Sequence, residues 1–433
     1  MLYYSTNHQS EKVNFKTATI QGQAPDKGLY FPDRIPQLPY SFIKELHRLS
    51  KEEIAFEVIK PYVENEIPVN VLSNIITETV DFDFPFIPVT GNYYALELFH
   101  GPTLAFKDVG ARFMSRCLGY FMQYLQQKVT VLVATSGDTG SAVANGFYNV
   151  EGVDVVILYP SCKVSQVQEL QLTTLGNNIT AIEVDGSFDD CQQLVKQSFA
   201  DQELNRQLFL TSANSINVAR WLPQQFYYFF ALQQWPDPVH NPVISVPSGN
   251  FGNICAGLLA YRSGLPVQQF IAACNANDTV CEYLRTGRYA PKASVSTLSN
   301  AMDVGNPSNW VRILELFHHQ LDDIKQILSS YCFSDKATEK AIAHVYKHYN
   351  YLLDPHGAVG YLALEQYLTQ HPDQTGLFLA TAHPIKFYDV VEPVIHDKIK
   401  LPSEVQMLLQ KRKQSIHMKP RKEVLKEFLL SRK

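Results

Sequence analysis

No run of about 18 apolar residues, the length a membrane-crossing helix needs, occurs in this chain. The segment Met1-Leu2-Tyr3-Tyr4-Ser5 has neither a basic n-region nor an apolar h-region, and no export signal is expected. Cysteine is scarce and unpatterned. The seven residues Cys117, Cys162, Cys191, Cys255, Cys274, Cys281 and Cys332 are odd in number and hold no Cys-x-x-Cys pair, so neither a disulfide framework nor a zinc site is expected, and a reducing cytoplasm fits best. The pair His318-His319, read as helical, points in two directions with no further ligand types beside it, and no metal is expected there. Excess charge is lacking too: 37 Lys and Arg against 42 Asp and Glu leave a net −5, which gives no general attraction for nucleic acid. A local exception runs from Lys411 through Lys419, Lys422 and Lys426 to Lys433. Because Leu425, Phe428 and Leu429 recur there at helical spacing, a helix packed on the body with its lysines outward is expected in preference to a binding arm.

What is present is apolar residues, 45% of 433, enough for a large core in two or three domains or lobes. Residues 1–95 read as a mostly helical N-terminal unit, with helices expected near 40–49, 51–63 and 69–80. From Tyr93 onward short apolar strands alternate with helices: a strand at 93–99, a turn at 101–103 and a helix over 109–125, then strand and helix pairs up to about residue 262. This pattern predicts an α/β fold with parallel-rich sheets flanked by helices, in two lobes across residues 96–400, followed by a helical tail over 401–433. Between about 265 and 350 the alternation weakens and Ser, Asn and Gly accumulate, notably at 294–303 and 305–309, so a long irregular segment is expected to fold over the site.

The chemistry-bearing segments lie where predicted strands end. Lys107 stands among Leu104, Ala105, Phe106 and Val109 at a helix start, where lost hydration favours the neutral amine, the form that attacks an aldehyde; a snorkelling structural lysine fits the same pattern. Ser248-Gly249-Asn250-Phe251-Gly252-Asn253 enters a helix with small residues and backbone N–H groups, as a phosphate requires, though an ordinary strand-to-helix turn reads the same way. Thr135-Ser136-Gly137-Asp138-Thr139-Gly140 offers hydroxyls and N–H groups suited to a carboxylate, or an N-cap. Asp138 is awkward there. A carboxylate repels an anionic ligand unless it is protonated, turned away or paired, so Ser136 and Thr139 are preferred as direct ligands. Asn214, Ser215, Asn217 and Arg220 supply two amides, a hydroxyl and a guanidinium within seven residues, enough to orient and clamp a phosphate, though Arg220 taken alone reads more readily as a surface salt-bridge partner. Lys163 can add positive charge near it.

Taken in order, Tyr3-Tyr4-Ser5-Thr6, Gln23-Ala24-Pro25-Asp26-Lys27-Gly28-Leu29-Tyr30, His100-Gly101-Pro102-Thr103 with Phe106-Lys107-Asp108, the segments at 135–142, 214–217 and 247–253, and Thr381-Ala382-His383-Pro384 resemble threonine synthases over most of the chain. The resemblance implies a fold type II, tryptophan synthase β-like enzyme with pyridoxal 5′-phosphate held on Lys107. It assigns the cofactor phosphate to Gly249, Asn250, Phe251, Gly252 and Asn253, and the pyridine nitrogen to the Thr381 hydroxyl. Ser136, Asp138 and Thr139 are assigned to the amino-acid end of the substrate, and Asn214, Ser215, Asn217 and Arg220 to its phosphate. His356 and His383 are expected to be structural or to support the residues that touch the ligands. The family's usual Pro after the second Asn is Val218 here, which changes backbone stiffness and no donor. The implied reaction turns O-phospho-L-homoserine and water into L-threonine and phosphate, in a cytoplasmic monomer or homodimer without nucleic-acid or membrane partners. A lyase of the same fold, releasing 2-oxobutanoate, ammonia and phosphate, is the alternative. A non-catalytic phosphometabolite-binding α/β protein is the rival from another class.

Overall fold

The computed structural model describes residues 1–123 and 128–432. The chain divides into two compact units, one formed by Met1, Phe31–Phe106 and Trp221–Lys400, the other by Leu2–Tyr30, Lys107–Arg220 and Leu401–Lys433. Both units are α/β, as expected.

The first unit is built on a six-stranded sheet in the order Leu328–Cys332, Gln269–Cys274, Val243–Pro247, Gly376–Ala380, Tyr93–Glu97, Phe86–Thr90. Five strands are parallel, and Phe86–Thr90 closes one edge antiparallel. Val243–Pro247 and Gly376–Ala380 are buried on every residue and almost wholly apolar, as suits a parallel sheet covered on both faces, and the one hydroxyl, Ser245, donates to Gly360 O at 2.7 Å. Gly376–Ala380, late in the chain, inserts between Val243–Pro247 and Tyr93–Glu97. The loops leaving those three strands, at 381–383, 248–251 and 98–106, therefore start side by side.

The second unit carries a five-stranded parallel sheet in the order Ile416–Met418, Ile179–Val184, Val153–Pro160, Val129–Ala134, Phe209–Thr211. Successive strands run outward from Val129–Ala134 in one direction before Phe209–Thr211 returns to its other side. That reversal of strand order is where an open α/β sheet forms a crevice at its carboxyl ends. The loops beginning at Thr135 and Ser212 leave from there.

Of the N-terminal helices, 51–63 is found as Lys51–Val63, started by a capping box in which Ser50 Oγ accepts from Glu53 N–H and the Glu53 carboxylate accepts from Ser50 N–H. Val69–Thr79 and Tyr40–Glu45, the latter prolonged by a 3-10 turn, match the other two. The short antiparallel pair Leu2–Ser5 with Val13–Asn14 was not anticipated. The helix expected over 109–125 is found as Lys107–Met122, and Leu125 lies outside the described residues.

Three expectations are corrected. The irregular segment expected within 265–350 is present at about 287–309, where 294–303 and 305–309 lie, but most of the rest of that range is regular: Gln269–Cys274, Thr279–Thr286, Trp310–Leu316, Leu321–Ile327, Leu328–Cys332 and Asp335–Tyr349. Short elements joined by polar turns hide the alternation there. Second, a disulfide joins Cys281 to Cys332, 51 residues apart, and the Cys274 sulfur lies within 4.8 Å of both. The parallel register sets Cys332 opposite Cys274, a proximity that spacing along the chain does not reveal. Third, the basic tail is more than a helix with solvated lysines. Its helix Lys422–Leu430 buries Leu425 and Leu429, but Lys422 and Lys426 pair with Asp201, and Lys413 lies 2.6 Å from Glu169 and 2.7 Å from Glu183. His318 and His319 occupy a left-handed turn after the helix Trp310–Leu316, with His319 on Glu315 at 3.0 Å. Among the described residues no helix is long and apolar enough to cross a membrane.

Candidate active site

In the second unit Lys107 is the first residue of its helix, and its side chain is 17% exposed. Its Nζ lies 4.0 Å from Asp138 Oδ2. Asp138 in turn opens the helix Asp138–Phe147, where the positive end of the helix dipole favours a carboxylate. Thr135 organises that turn: its Oγ1 accepts from the N–H groups of Gly137 and Gly140 at 3.0 and 2.8 Å. Gly137 is required by its φ of +137° and by space, since a Cβ there would stand 2.5 Å from Gln168 Cδ. Ser136 and Thr139 remain half-buried on the same turn while Asp138 is buried.

The segment 212–220 follows the neighbouring strand. Asn214 and Ser215 are half-buried, whereas Asn217 is fully buried and its amide is bonded inward: Nδ2 donates to Thr19 O at 2.9 Å and Oδ1 accepts from Ala219 N–H at 3.0 Å. Its place is thus to hold the turn, unlike Asn214 and Ser215. Arg220 is buried, and its carbonyl sits only 2.6 Å from where a Gly110 Cβ would be, so the glycine lets this turn lie directly on the Lys107 helix. Lys163 is exposed.

In the first unit, the turn 248–251 leads into the helix Gly252–Arg262 with Phe251 in the left-handed region, φ +59°. The first N–H groups of a helix have no partner within it. Asn253 adds a side-chain donor: Tyr228 hydroxyl donates to its Oδ1 at 2.9 Å, which turns Nδ2 the other way, and that buried Nδ2 has no hydrogen-bond partner among the described residues. An orphaned amide donor beside a helix start, with no acid in the first turn, fits the phosphate of pyridoxal phosphate. Asn250 faces elsewhere, since its Oδ1 accepts from Ser308 N–H and hydroxyl at 2.7 and 2.8 Å, which leaves its backbone for the turn. Behind it Asn309 Nδ2 donates to Asn250 O at 3.1 Å and Arg312 Nη1 donates to Asn309 Oδ1 at 2.8 Å. Burial lowers the Arg312 guanidinium to about 10, leaving it charged at neutral pH over the Trp221 ring.

Thr381 is buried, and its carbonyl accepts from Phe106 N–H at 2.9 Å. With the bridge Ala105–Ala382 and the bond from His383 N–H to Leu104 O at 3.0 Å, this ties residues 104–106, which immediately precede Lys107, to the Thr381 loop. Tyr227 hydroxyl donates to Phe106 O, and the fully buried Lys386 ammonium donates to Thr103 O at 2.8 Å. Burial pushes His383 down to about 4, a neutral ring whose Nδ1 accepts from Ile385 N–H. His356 is clamped between the Asp354 carboxylate at 2.7 Å and Ala301 N–H at 3.2 Å. Sequence reasoning missed Gln168, Tyr227 and Lys386. The spacing Ser165-x-x-Gln168 is a legible capping box, but the contact from Gln168 to Asp138 is tertiary.

The family model described as pyridoxal-phosphate dependent enzyme matches residues 86–381. Models of the threonine synthase N terminus and C-terminal part match 2–80 and 357–429. Threonine synthase from Haemophilus influenzae is 46% identical over 403 residues, 93% of each chain, and that of Escherichia coli is 45% identical over 94% of each. The crystal structure of the Escherichia coli threonine synthase superposes with a TM-score of 0.93 at 42% identity over the whole of both chains. A pyridoxal-phosphate-bound threonine synthase from Brucella melitensis gives 0.94 at 34% identity over 100% and 99%. Fold and donor set thus define a fold type II pyridoxal-phosphate dependent enzyme. Within that class, the chain belongs to the threonine synthase family.

Proposed function

We propose that this protein converts O-phospho-L-homoserine and water to L-threonine and phosphate, the last step of threonine biosynthesis. One observation carries the reading: a shielded lysine amine beside a carboxylate at two helix starts, in a chain matched along 93% of its length to threonine synthases. Gly249, Phe251, Gly252 and Asn253, with the backbone of Asn250, hold the cofactor phosphate, and the Thr381 hydroxyl meets the pyridine nitrogen. Pyridoxal phosphate, when bound, supplies an electron sink for negative charge at the substrate Cα. Lys107 would hold the cofactor and, as a neutral amine, take the Cα proton; once that proton has passed on from its nitrogen, the same amine takes a Cβ proton. Ser136 and Thr139 orient the substrate carboxylate. Asn214, Ser215 and Arg220 bind the phosphate that leaves Cγ, and Asn217 keeps their turn in place. A proton is then returned to Cγ, water adds at Cβ, and Lys107 returns the Cα proton.

The products carry the test. In oxygen-18 water the label is expected in the threonine hydroxyl and not in phosphate, and in deuterated water deuterium enters the methyl group. Homoserine with labelled phosphate would mean a phosphatase; 2-oxobutanoate as main product would mean the lyase alternative. We also propose the functional divisions 1–95, 96–400 and 401–433, a cytoplasmic location, and a monomer or homodimer, which light scattering distinguishes. Alkylation of Cys281 and Cys332 in freshly lysed cells reports their thiol state in that compartment.

A further inference from the structure

We propose that Gln168 is a positioning residue for Lys107, acting through Asp138, so that Asp138 serves the lysine and not the substrate carboxylate. The inference rests on the reading of Lys107 as the cofactor-holding, proton-transferring amine. Gln168 is 2% exposed at the start of the helix Gln166–Thr173. Its Oε1 accepts from Ser165 N–H at 3.2 Å, which leaves its amide N–H groups to face Asp138, and Nε2 donates to Asp138 Oδ1 at 2.9 Å. The two carboxylate oxygens are thereby divided: Oδ1 is held by Gln168, and Oδ2 is directed to Lys107 Nζ at 4.0 Å. Gly137 permits the arrangement, since any Cβ at that position would overlap the Gln168 amide.

A helix start and an amide donor both favour a carboxylate over its protonated form, and a carboxylate in turn favours the protonated state of a nearby nitrogen. The difficulty of an acid in a carboxylate-binding turn then disappears. Its charge is matched by Lys107, while Ser136 and Thr139 stay available to the substrate.

Other titratable groups occupy the elements packed around this pair. Asp108, Arg112, Arg116, Cys117 and Tyr120 lie on the Lys107 helix, and Lys16 lies on the helix Phe15–Gln21. Glu169 and Glu183 are paired with Lys413, Tyr159 donates to Glu169, Asp154 is 3.8 Å from Lys128, and Glu404 lies on the helix Ser403–Leu409. These are common to all variants below, so differences between variants report Asp138 and Gln168.

The test measures the protonation midpoint of the Lys107 nitrogen in two full-length preparations. With pyridoxal phosphate bound it is read from the pH titration of the visible absorbance; without cofactor, from the pH dependence of Lys107 acetylation by trace acetic anhydride, followed by mass spectrometry. Asp138→Asn is expected to lower both midpoints by about 1 to 3 units and Gln168→Met by about 0.5 to 1 unit. Ser165→Ala removes the cap that accepts from Gln168 N–H; it should lower the thermal midpoint and leave the pH midpoints in place. Midpoints that move in Asp138→Asn but not in Gln168→Met overturn the role of Gln168, as does an equal shift in Ser165→Ala. Midpoints that move in neither overturn the pairing itself. Borohydride reduction and peptide mapping of the same samples separate these outcomes from failure of the underlying reading, in which the pyridoxyl label would sit on another lysine.

Discussion

The helix starts at 138 and 252 are built alike and charged differently. Each follows a buried parallel strand and a glycine-containing turn. The helix Gly252–Arg262 has no acid in its first turn and presents the neutral amide of Asn253, whereas Asp138–Phe147 begins with a carboxylate 4.0 Å from Lys107. The difference extends to their surroundings. Thr381, His383 and Asn253, in the unit assigned to the cofactor, are neutral donors or acceptors, and the cations Lys386 and Arg312 stand behind them on Thr103 O and Asn309. Lys107, Asp138 and Arg220, in the other unit, are charged groups; the proposed function gives Lys107 the proton transfers and Arg220 the departing phosphate, while Asp138 faces the lysine. A dianion kept through every turnover suits fixed neutral dipoles; a group that must arrive, react and leave suits charge.

The comparison breaks most severely at Lys107. Lys107→Ala should abolish the borohydride-fixed pyridoxyl group and lower kcat about a thousandfold or more, because both the covalent hold and the proton carrier are removed. A label retained elsewhere in that variant would show that the charged side has been misassigned.

Giving the neutral helix start the acid of its counterpart is the next strongest test. Asn253→Asp places a carboxylate against the cofactor phosphate, and cofactor affinity, titrated by absorbance, should fall more than about a hundredfold. Asn253→Ala, which removes the charge-assisted donor and leaves the Tyr228 hydroxyl its bond to Asn253 O, should cost about 1.5 to 3 kcal/mol, or roughly ten- to a hundredfold. Arg220→Ala should lower phosphohomoserine affinity by about the same ten- to hundredfold and leave cofactor affinity nearly unchanged. Equal loss of both ligands would mean that the two phosphate positions have been exchanged.

The smallest effect is in stability. Burial depresses His383 to about 4 in the native protein, while its ring titrates near 6.5 when unfolded. The unfolded chain therefore binds more protons between those values, and the His383 contribution, complete above about pH 6.5, falls by up to about 1.4 kcal/mol per unit as pH drops toward 4. Denaturant titrations between pH 7 and 5 should show this slope in the native sequence and a flatter one in His383→Asn. Equal slopes would mean that the neutral side is not defended by burial of this ring.

Most of this contrast was readable without coordinates, and the part that was not has a common cause. Apolar runs such as 131–134 and 155–159 announce strands buried on both faces, and the helix Gly252–Arg262 has the bounds its pattern gives. The motif residues fall at strand ends for the same reason. What the pattern cannot carry is which atom meets which: Asn217 has the composition of a ligand and is bonded to Thr19 O, and Asn250 turns its side chain to Ser308. Val218–Trp221, a 3-10 turn at 222–225 and Phe226–Gln233 read as one helix over 218–234, because apolar spacing continues through Pro223 while the backbone does not.

The strand Ile416–Met418 pairs in parallel with Ile179–Val184 at the edge of the second sheet, and the residues that follow it cover the helix Phe188–Ala200. During synthesis the ribosome delivers that strand more than two hundred residues after its partner, at roughly 5–20 residues per second, so the nascent sheet waits for tens of seconds with Ile179–Val184 unpaired on one side. Over that interval the incomplete sheet offers an open template to any passing strand, a window in which the finished fold does not yet cover the edge.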